Sequence, residues 1–387
     1  MSYQVMERNI VHFDLDDLPV SVEMMRDRRL NGWPVAIAGS GDRSIVMSCN
    51  AEARNFRVEK AMPVKLARRA CPQLVVIKGD YESYEHYSNT VKEIIDEKTP
   101  KFERATLERF YADLTGMDKH FGCMKYSGEL RQQIIRETGL PVSFGLSSNK
   151  TVSRIATNDA RPNGKMQVIY GYEKSFLAPR PVTELPMVSD ETARLLWKMG
   201  VRTIRDLSAM PVPYLENMFG KDGLEISRRA NGIDDTPVIE QMEEKSLTTE
   251  YTFEQDTIDM TLMRSQLTKL TEELGFRLRN KGYLTGRITV KLRYGNGDTP
   301  IRQCTIPHIG TDDALIAIVK TLFEKLYDRR LLVRLIGIRF TKLITGTYQI
   351  NLFEDTKEKI RLYQAIDHIK SHLGAGLITR ASTLSRI

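Results

Sequence analysis

The pattern of apolar residues changes twice along this chain, and these changes constrain the fold more than any other feature. Up to about residue 175, apolar strands such as "LPVSFGLS" alternate with helices, among them a long one over about 81–98. This order predicts an α/β or α+β body. From about 176 the pattern is only helical, with two short helices joined at Met199–Gly200. Beyond residue 246 the order strand, helix, strand, strand, helix, strand predicts a split β-α-β arrangement.

Length and composition limit the class of protein. A chain of 387 residues predicts two to four domains at roughly 150 residues each. The net charge of +7 and pI of about 9.1 are compatible with a nucleic-acid partner. No apolar tract is long enough for a membrane span, and the N-terminus does not read as a secretory signal. The cysteines have no CxxC spacing, which favours a reducing cytoplasm over a zinc site or disulfides: Cys49, Cys71, Cys123 and Cys304.

Acidic residues stand at the ends of two predicted strands. The first group is "DLDD", Asp14 to Asp17, after the strand Ile10 to Phe13. Carboxylates at strand ends can hold two divalent ions for phosphoryl transfer, whereas the alternative is a solvated acidic turn. Before the strand Phe110 to Leu114 stand Glu108 and Arg109. The carboxylate of Glu108 could bind a metal ion there, and the positive charge of Arg109 could neutralise that carboxylate and prevent metal binding.

Basic residues alternate with apolar ones in the strand "GRITVKLRYG". Arg287, Lys291 and Arg293 would share one face of the sheet and leave the other face to the core. The last strand adds Arg334 and Arg339. Such a face can follow a DNA backbone without reading bases, although alternating charge is also typical of a solvated face.

Two further segments each have a binding interpretation and a structural one. The helical module could present backbone N–H groups to a DNA phosphate as a helix-hairpin-helix, or could be a packing unit without a ligand. The hairpin usually has glycines where Met187 and Ser189 stand. "QINLF" could insert into a pocket of a partner through Gln349, Leu352 and Phe353, or could pack back on its own domain.

Several specific stretches together resemble a Y-family DNA polymerase of the DinB (polymerase IV) type. They are "HFDLDDLPVSVE", "CNAEARNFRVEKAMP", "CPQLVVIKGDYESY", "FYADLTG", "GLSSNKTVSRIAT" and "ARPNGK". The resemblance runs colinearly from residue 8 to about 353. It implies an α+β multidomain architecture and interprets "QINLF" as a sliding-clamp peptide.

The resemblance also implies domain boundaries. The expected domains are a palm (1–17 and 81–175), fingers (18–80), a helical thumb (176–236), a linker (237–245), a β-α-β-β-α-β little finger (246–347) and a tail with the clamp peptide and a last helix (348–387).

The catalytic positions that the resemblance implies are only partly kept. The metal-binding aspartate falls on Asp14, with the backbone carbonyl of Leu15, and the next aspartate falls on Asp16. The family's Ser-x-Asp-Glu signature ends here in Glu108 and Arg109, a longer carboxylate followed by a cation. We expect Arg109 to bridge Asp14 and Glu108 as an internal cation; the alternative is that it points to solvent or DNA.

The nucleotide pocket departs from the family as well. Two aromatics, one of which gates against ribonucleotides, fall on Leu18 and Pro19, and the tyrosine that contacts the triphosphate falls on Ala51. Its arginine partner is kept as Arg54, and the palm lysine that holds the triphosphate falls on Arg161.

Two functions follow as hypotheses. The first is a translesion accessory at damaged primer–template DNA, with impaired or lost nucleotidyl transfer, that binds a sliding clamp and recruits a partner polymerase. The second is an active error-prone DNA polymerase that uses divalent metal ions. Mg²⁺ is expected only if the chain is active, with weak or absent binding, and we expect a cytoplasmic monomer with no membrane partner.

Overall fold

The computed structural model divides into two compact units, Met1–Gln241 and Met242–Ile387. It describes residues 8–39, 41, 43–117, 122–240, 246–327, 331–346, 357–373 and 378–383. Within these ranges no helix is long and apolar enough to cross a membrane. All four cysteines of the chain lie in the described ranges and are free thiols there.

Two sheets form the framework of the first unit. Its strands are β1 (Ile10–Leu15), β2 (Val35–Ala38), β3 (Val46–Cys49), β4 (Val75–Lys78), β5 (Phe102–Arg104), β6 (Arg109–Asp113), β7 (Val142–Ser147) and β8 (Lys165–Gln167). The larger sheet has the order β5-β6-β1-β7-β8, and the smaller has the order β3-β2-β4. Strand β1 is antiparallel to both of its neighbours, which places its C-terminal end between β6 and β7.

In the described part of the unit, the first six helices lie between these strands along the chain, and five more follow the last strand. They are α1 (Leu18–Arg26), α2 (Ala51–Asn55), α3 (Val64–Ala70), α4 (Tyr81–Lys98), α5 (Cys123–Thr138), α6 (Lys150–Ala160), α7 (Glu173–Leu177), α8 (Asp190–Lys198), α9 (Ile204–Ser208), α10 (Val212–Phe219) and α11 (Lys221–Ala230). The long helix predicted over about 81–98 is α4. The sequence places the N-cap of α6 at Ser147 or Ser148, which is wrong: Asn149 is the cap, and its side chain accepts from Val152 N at 3.0 Å.

Alternate residues of β1 face two different layers. Val11, Phe13 and Leu15 are buried in the core that α4 and α5 complete. The opposite face meets α6, where Thr157 Oγ1 lies 2.8 Å from Nδ1 of His12. Helix α6 lies so close to β7 that a Cβ on Gly145 would stand 2.3 Å from Ser153 O. The polar ends of β1 and α6 are therefore held next to each other.

The helical module of the first unit, α7 to α11, agrees with the helical pattern predicted beyond residue 176. Its two tight turns differ from a glycine-based hairpin in one respect. Met187 adopts φ 76°, the left-handed conformation that glycine usually fills, and Gly200 adopts φ 82°. The backbone conformation of a hairpin glycine is thus present at Met187 without the glycine.

The second unit confirms the β-α-β-β-α-β order. Its elements are β9 (Ser246–Thr257), α12 (Met260–Asn280), β10 (Tyr283–Tyr294), β11 (Ile301–Ile309), α13 (Asp312–Leu326), β12 (Val333–Thr345) and α14 (Lys357–Leu373). The sheet order is β11-β10-β12-β9 with antiparallel neighbours. Because β12 separates β9 from β10, the unit is a split β-α-β arrangement. Helices α12 and α13 cover one face of the sheet and share its core.

Candidate active site

The segment Asp14 to Asp17, which forms the end of β1 and the turn after it, is fixed by its neighbours on both sides. Leu15 N donates to Glu108 O at 2.8 Å, and Asp16 N donates to Pro141 O at 2.9 Å. Asp17 takes the left-handed conformation with φ 50° and leads into α1, which has Pro19 in its first turn, where proline is well tolerated. The three aspartates of this turn therefore occupy fixed positions at the end of the larger sheet. We call this group the aspartate turn.

Arg109 lies beside Asp14 because of the strand register. Antiparallel pairing of β1 with β6 sets Asp14 opposite Arg109, and Arg109 Nε donates to Asp14 Oδ2 at 3.3 Å. The Asp14 side chain is fully buried, whereas 29% of the Arg109 side chain is exposed. Within the described ranges, no ion pair joins Arg109 to Glu108. The expected bridge is therefore formed on the Asp14 side alone, because adjacent residues of an extended chain point to opposite faces.

Arg161 reaches all three aspartates from the C-terminal end of α6. Its Nη1 lies 3.3 Å from Asp14 Oδ2, its Nε donates to Asp16 Oδ1 at 2.8 Å, and its Nη2 lies 3.7 Å from Asp17 Oδ1. The resemblance assigns this residue to the triphosphate of an incoming nucleotide. In the structure its guanidinium contacts a carboxylate oxygen of each aspartate of the aspartate turn.

Asp16 is satisfied by partners that the sequence analysis did not single out. Its Oδ2 accepts from Ser143 Oγ at 2.7 Å and from the backbone N–H of Asn163 at 2.7 Å. A serine inside the apolar strand "LPVSFGLS" was a weak signal for Ser143. No signal marked Asn163, because its contribution is a backbone group positioned by the chain after α6.

The other nucleotide-pocket positions lie around the same turn. Arg54, on α2, donates from Nη2 to Asp17 Oδ2 at 2.6 Å, and 45% of its side chain is exposed. Asp17 was part of the acidic cluster in the sequence, but its role as the partner of Arg54 was not predicted. Ala51 is the first residue of α2 and is exposed, with no polar side-chain atom to offer. Leu18 and Pro19 are buried, and Leu18 belongs to the core rather than to an open pocket.

Burial shifts the protonation of the two polar side chains of β1. Burial raises the pKa of Asp14 to about 6, although Arg161 and Arg109 oppose this shift. Burial also lowers the pKa of His12 well below its usual value, and Arg109, Arg154 and Arg161 lower it further. Asp14 Oδ1 and His12 Nε2 have no hydrogen-bond partner among the described residues. His12 is therefore a neutral side chain, and the pKa of Asp14, at about 6, stands above its ordinary value of 3.8.

These residues do not fit a pair of divalent ions. Arg109 falls where the resemblance implies a third carboxylate, and Arg109 and Arg161 both contact Oδ2 of Asp14 at 3.3 Å. In the described part of the chain, no group of three or more histidine, cysteine, aspartate or glutamate side chains is arranged to hold a metal ion. Of the carboxylates that the resemblance assigns to metal ions, Asp14 keeps one oxygen, Oδ1, without a hydrogen-bond partner among the described residues, and Glu108 is half-buried.

The basic residues predicted on β10 lie on the outer face of the second unit's sheet, opposite the core. Lys291 forms an ion pair with Glu250 at 2.8 Å across Gly337 of the intervening strand. Arg287 and Arg293 each contact a threonine hydroxyl at 3.4 Å.

The predicted arginines of β12 differ from each other. Arg339 stands opposite Thr289 in the strand register and donates to Ser246 Oγ at 3.2 Å. Arg334 lies at an irregularity of β12 and forms an ion pair with Asp256 at 3.0 Å. Gln349, Leu352 and Phe353 of the predicted clamp peptide lie outside the described residues.

Comparisons with known proteins agree with this architecture. The model of the impB/mucB/samB family matches residues 13–158, and that of its C-terminal domain matches residues 244–352. A protein of Desulfatibacillum aliphaticivorans named DNA polymerase IV is 31% identical, with 98% of each chain covered. A protein of that name from Dehalococcoides mccartyi is 30% identical, with 97% of each chain covered. A solved Y-family DNA polymerase chimera of Dbh and Dpo4 superposes with a TM-score of 0.78 at 24% identity, over 87% of this chain and 100% of the chimera.

The family matches cover both units, and the relatives cover nearly the whole chain. The chain therefore belongs to the Y family of DNA polymerases. Within that family it is of the DinB, or DNA polymerase IV, type.

Proposed function

We propose that this chain is a translesion accessory that binds damaged primer–template DNA and has lost most or all nucleotidyl transfer. The observation that carries the proposal is the occupation of the aspartate turn by arginines. Arg109 and Arg161 contact Asp14, the carboxylate that a DinB-type active site would use to bind metal ions. Arg54 contacts Asp17 in the same turn. The cations that could hold a triphosphate are thus engaged by the carboxylates that could hold metal ions.

The energies involved favour this interpretation. At about 4 Å and an effective dielectric constant near 20, one arginine–carboxylate contact is worth roughly 4 kcal/mol before desolvation. A divalent ion at Asp14 has to compete with two such contacts. Glu108 adds one methylene to the expected carboxylate, and a misplacement of about 1 Å can cost roughly 100-fold in rate. Ala51 offers no hydroxyl to a triphosphate.

The test is primer extension on undamaged and lesion-containing templates with Mg²⁺ or Mn²⁺, beside a calorimetric titration of each metal. We expect negligible extension and weak or no metal binding by the natural chain. The double variant Glu108→Asp/Arg109→Glu should bind metal measurably and extend primers only in traces, because Arg161 still occupies Asp14. Robust extension by the natural chain that is lost in Asp14→Ala would reject the accessory role and support an active error-prone polymerase.

DNA binding in this proposal rests on the outer face of the second unit's sheet. Among the described residues, Arg287, Arg293 and Arg339 contact hydroxyl groups and no carboxylate, so we expect their charges to be available to phosphates. Lys291 and Arg334 are ion-paired and contribute less.

Clamp binding in this proposal rests on the sequence "QINLF" alone. The double variant Leu352→Ala/Phe353→Ala should abolish binding to a sliding clamp and leave the melting temperature unchanged. A large fall in melting temperature would mean that the two side chains belong to the core, and the clamp assignment would fail.

The remaining assignments follow from the family. We propose the palm, fingers, thumb, linker, little finger and tail with the boundaries given above. We also propose a cytoplasmic monomer that recruits a partner polymerase.

A further inference from the structure

Residues 56–69, which we call the basic segment, concentrate exposed positive charge in a short stretch of the first unit. The segment "FRVEKAMPVKLARR" contains a single acidic residue, Glu59. Its cationic residues are all exposed: Arg57, Lys60, Lys65, Arg68 and Arg69. Clustered charge of one sign is the electrostatic footprint of a polyanion site.

The fold holds this segment in a defined shape. In α3, Val64 and Ala67 are buried in the small core beside β2 and β3, so the basic residues of the helix are left outside. In the loop before α3, Arg57 and Ala61 adopt the left-handed backbone conformation, with φ 61° and φ 70°. Ala61 N donates to Val46 O at 2.8 Å and ties the loop to β3.

The cations of the basic segment are not neutralised by acidic side chains of the described residues. Within the described ranges, none of the five forms an ion pair, whereas Arg54, three residues before Arg57, is paired with Asp17. Lys65 lies three and four residues before Arg68 and Arg69, so these like charges are neighbours on the helix surface and repel. The arrangement costs stability in the free protein, and an anionic ligand would remove that cost.

Two exposed apolar side chains stand among these cations. Phe56 is 42% exposed and Leu66 is 49% exposed. Unpaired bases can stack on such a ring while their phosphates meet the cations, which is how sequence-tolerant single-strand sites are built. Bases in a duplex are already stacked and cannot use Phe56.

We propose that the basic segment binds single-stranded nucleic acid, with phosphates on the cations and a base on Phe56. The proposal concerns residues other than those of the aspartate turn. It holds whether or not the chain extends primers.

The test measures binding of the full chain to labelled oligo-dT and to a blunt duplex over a range of salt concentrations. The variant is Lys65→Gln/Arg68→Gln/Arg69→Gln on α3. The matched control removes three exposed charges from α4 and α5: Lys98→Gln/Lys125→Gln/Arg136→Gln. Circular dichroism checks that both remain folded.

We expect the α3 variant to lower the slope of log affinity against log salt by about 2 for oligo-dT, and affinity by roughly 10- to 100-fold at 0.1 M salt. Duplex binding and the control triple should change little. Phe56→Leu should weaken oligo-dT binding severalfold and leave the salt slope unchanged.

Three outcomes would overturn the proposal. The first is equal loss in the α3 variant and the control triple, which would indicate an effect of net charge. The second is unchanged oligo-dT binding by the α3 variant. The third is that phosphatidylserine vesicles bind through the same residues as tightly as oligo-dT, which would indicate a membrane surface. Absence of any duplex binding by the natural chain would instead count against the proposed accessory function alone.

Discussion

The two groups of arginines that the sequence assigned to function are held differently. At the aspartate turn, Arg109 and Arg161 contact carboxylates that are almost completely buried. On the sheet of the second unit, Arg287, Arg293 and Arg339 lie on a partly exposed face, where their contacts with the described residues are to hydroxyl groups. The same side chain is a fixed internal cation in one region and an available charge in the other.

The difference teaches that burial of the partner decides the role of an arginine. A buried carboxylate cannot remain charged without a cation, so it fixes the nearest guanidinium. A hydroxyl on a solvated strand is uncharged and does not need a cation, so it does not fix the arginine that contacts it. The following predictions test this contrast, from the largest expected effect to the smallest.

Removing Arg161 should produce the largest effect. Arg161→Ala leaves Asp14 and Asp16 without their shared cation, and we expect a loss of about 3 kcal/mol in the free energy of unfolding. Arg54→Ala removes a half-exposed ion pair and should cost about 0–1 kcal/mol. Urea denaturation of both variants measures the difference. If the two losses are equal, the buried pairing at the turn does not stabilise the fold as argued.

The protonation of Asp14 should make stability depend on pH. Its folded pKa of about 6 lies above the ordinary value of 3.8, so the folded chain keeps a proton that the unfolded chain releases. The free energy of unfolding should therefore fall as pH rises from about 4 to 6, by up to ~3 kcal/mol.

Asp14→Asn cannot titrate and should lack this component of the pH dependence. The measurement is urea denaturation of the natural chain and of the variant at pH 4 and at pH 6, which gives the change in the free energy of unfolding for each. The control is Asp96→Asn at an exposed position of α4. A pH dependence unchanged in Asp14→Asn would contradict the burial argument.

The sheet charges should affect DNA affinity and hardly affect stability. Arg287→Gln/Lys291→Gln/Arg293→Gln should change the free energy of unfolding by less than about 1 kcal/mol. The salt slope of primer–template binding should fall by about 0.9 for each phosphate that the variant no longer neutralises, whatever the DNA sequence. Lys291→Gln alone should change the slope least because Glu250 already neutralises Lys291. An unchanged slope in the triple variant would remove this face as a DNA surface.

Much of the fold follows from the sequence because its patterns are local. The helix α4 and the β-α-β-β-α-β order of the second unit depend on apolar spacing within single segments. The N-cap of α6 was misplaced because serine and asparagine cap helices equally well, and only the backbone path chooses between Ser148 and Asn149.

The sequence alone also identified the charged residues of the candidate site, including the unusual cation Arg109. Only the tertiary structure decided which charges meet. Strand register set Arg109 opposite Asp14, the approach of α6 to β7 brought Arg161 onto the aspartates, and Ser143 and Asn163 completed Asp16 from distant parts of the chain. Charge pairs form between side chains far apart in sequence, and no local pattern encodes the distance between them.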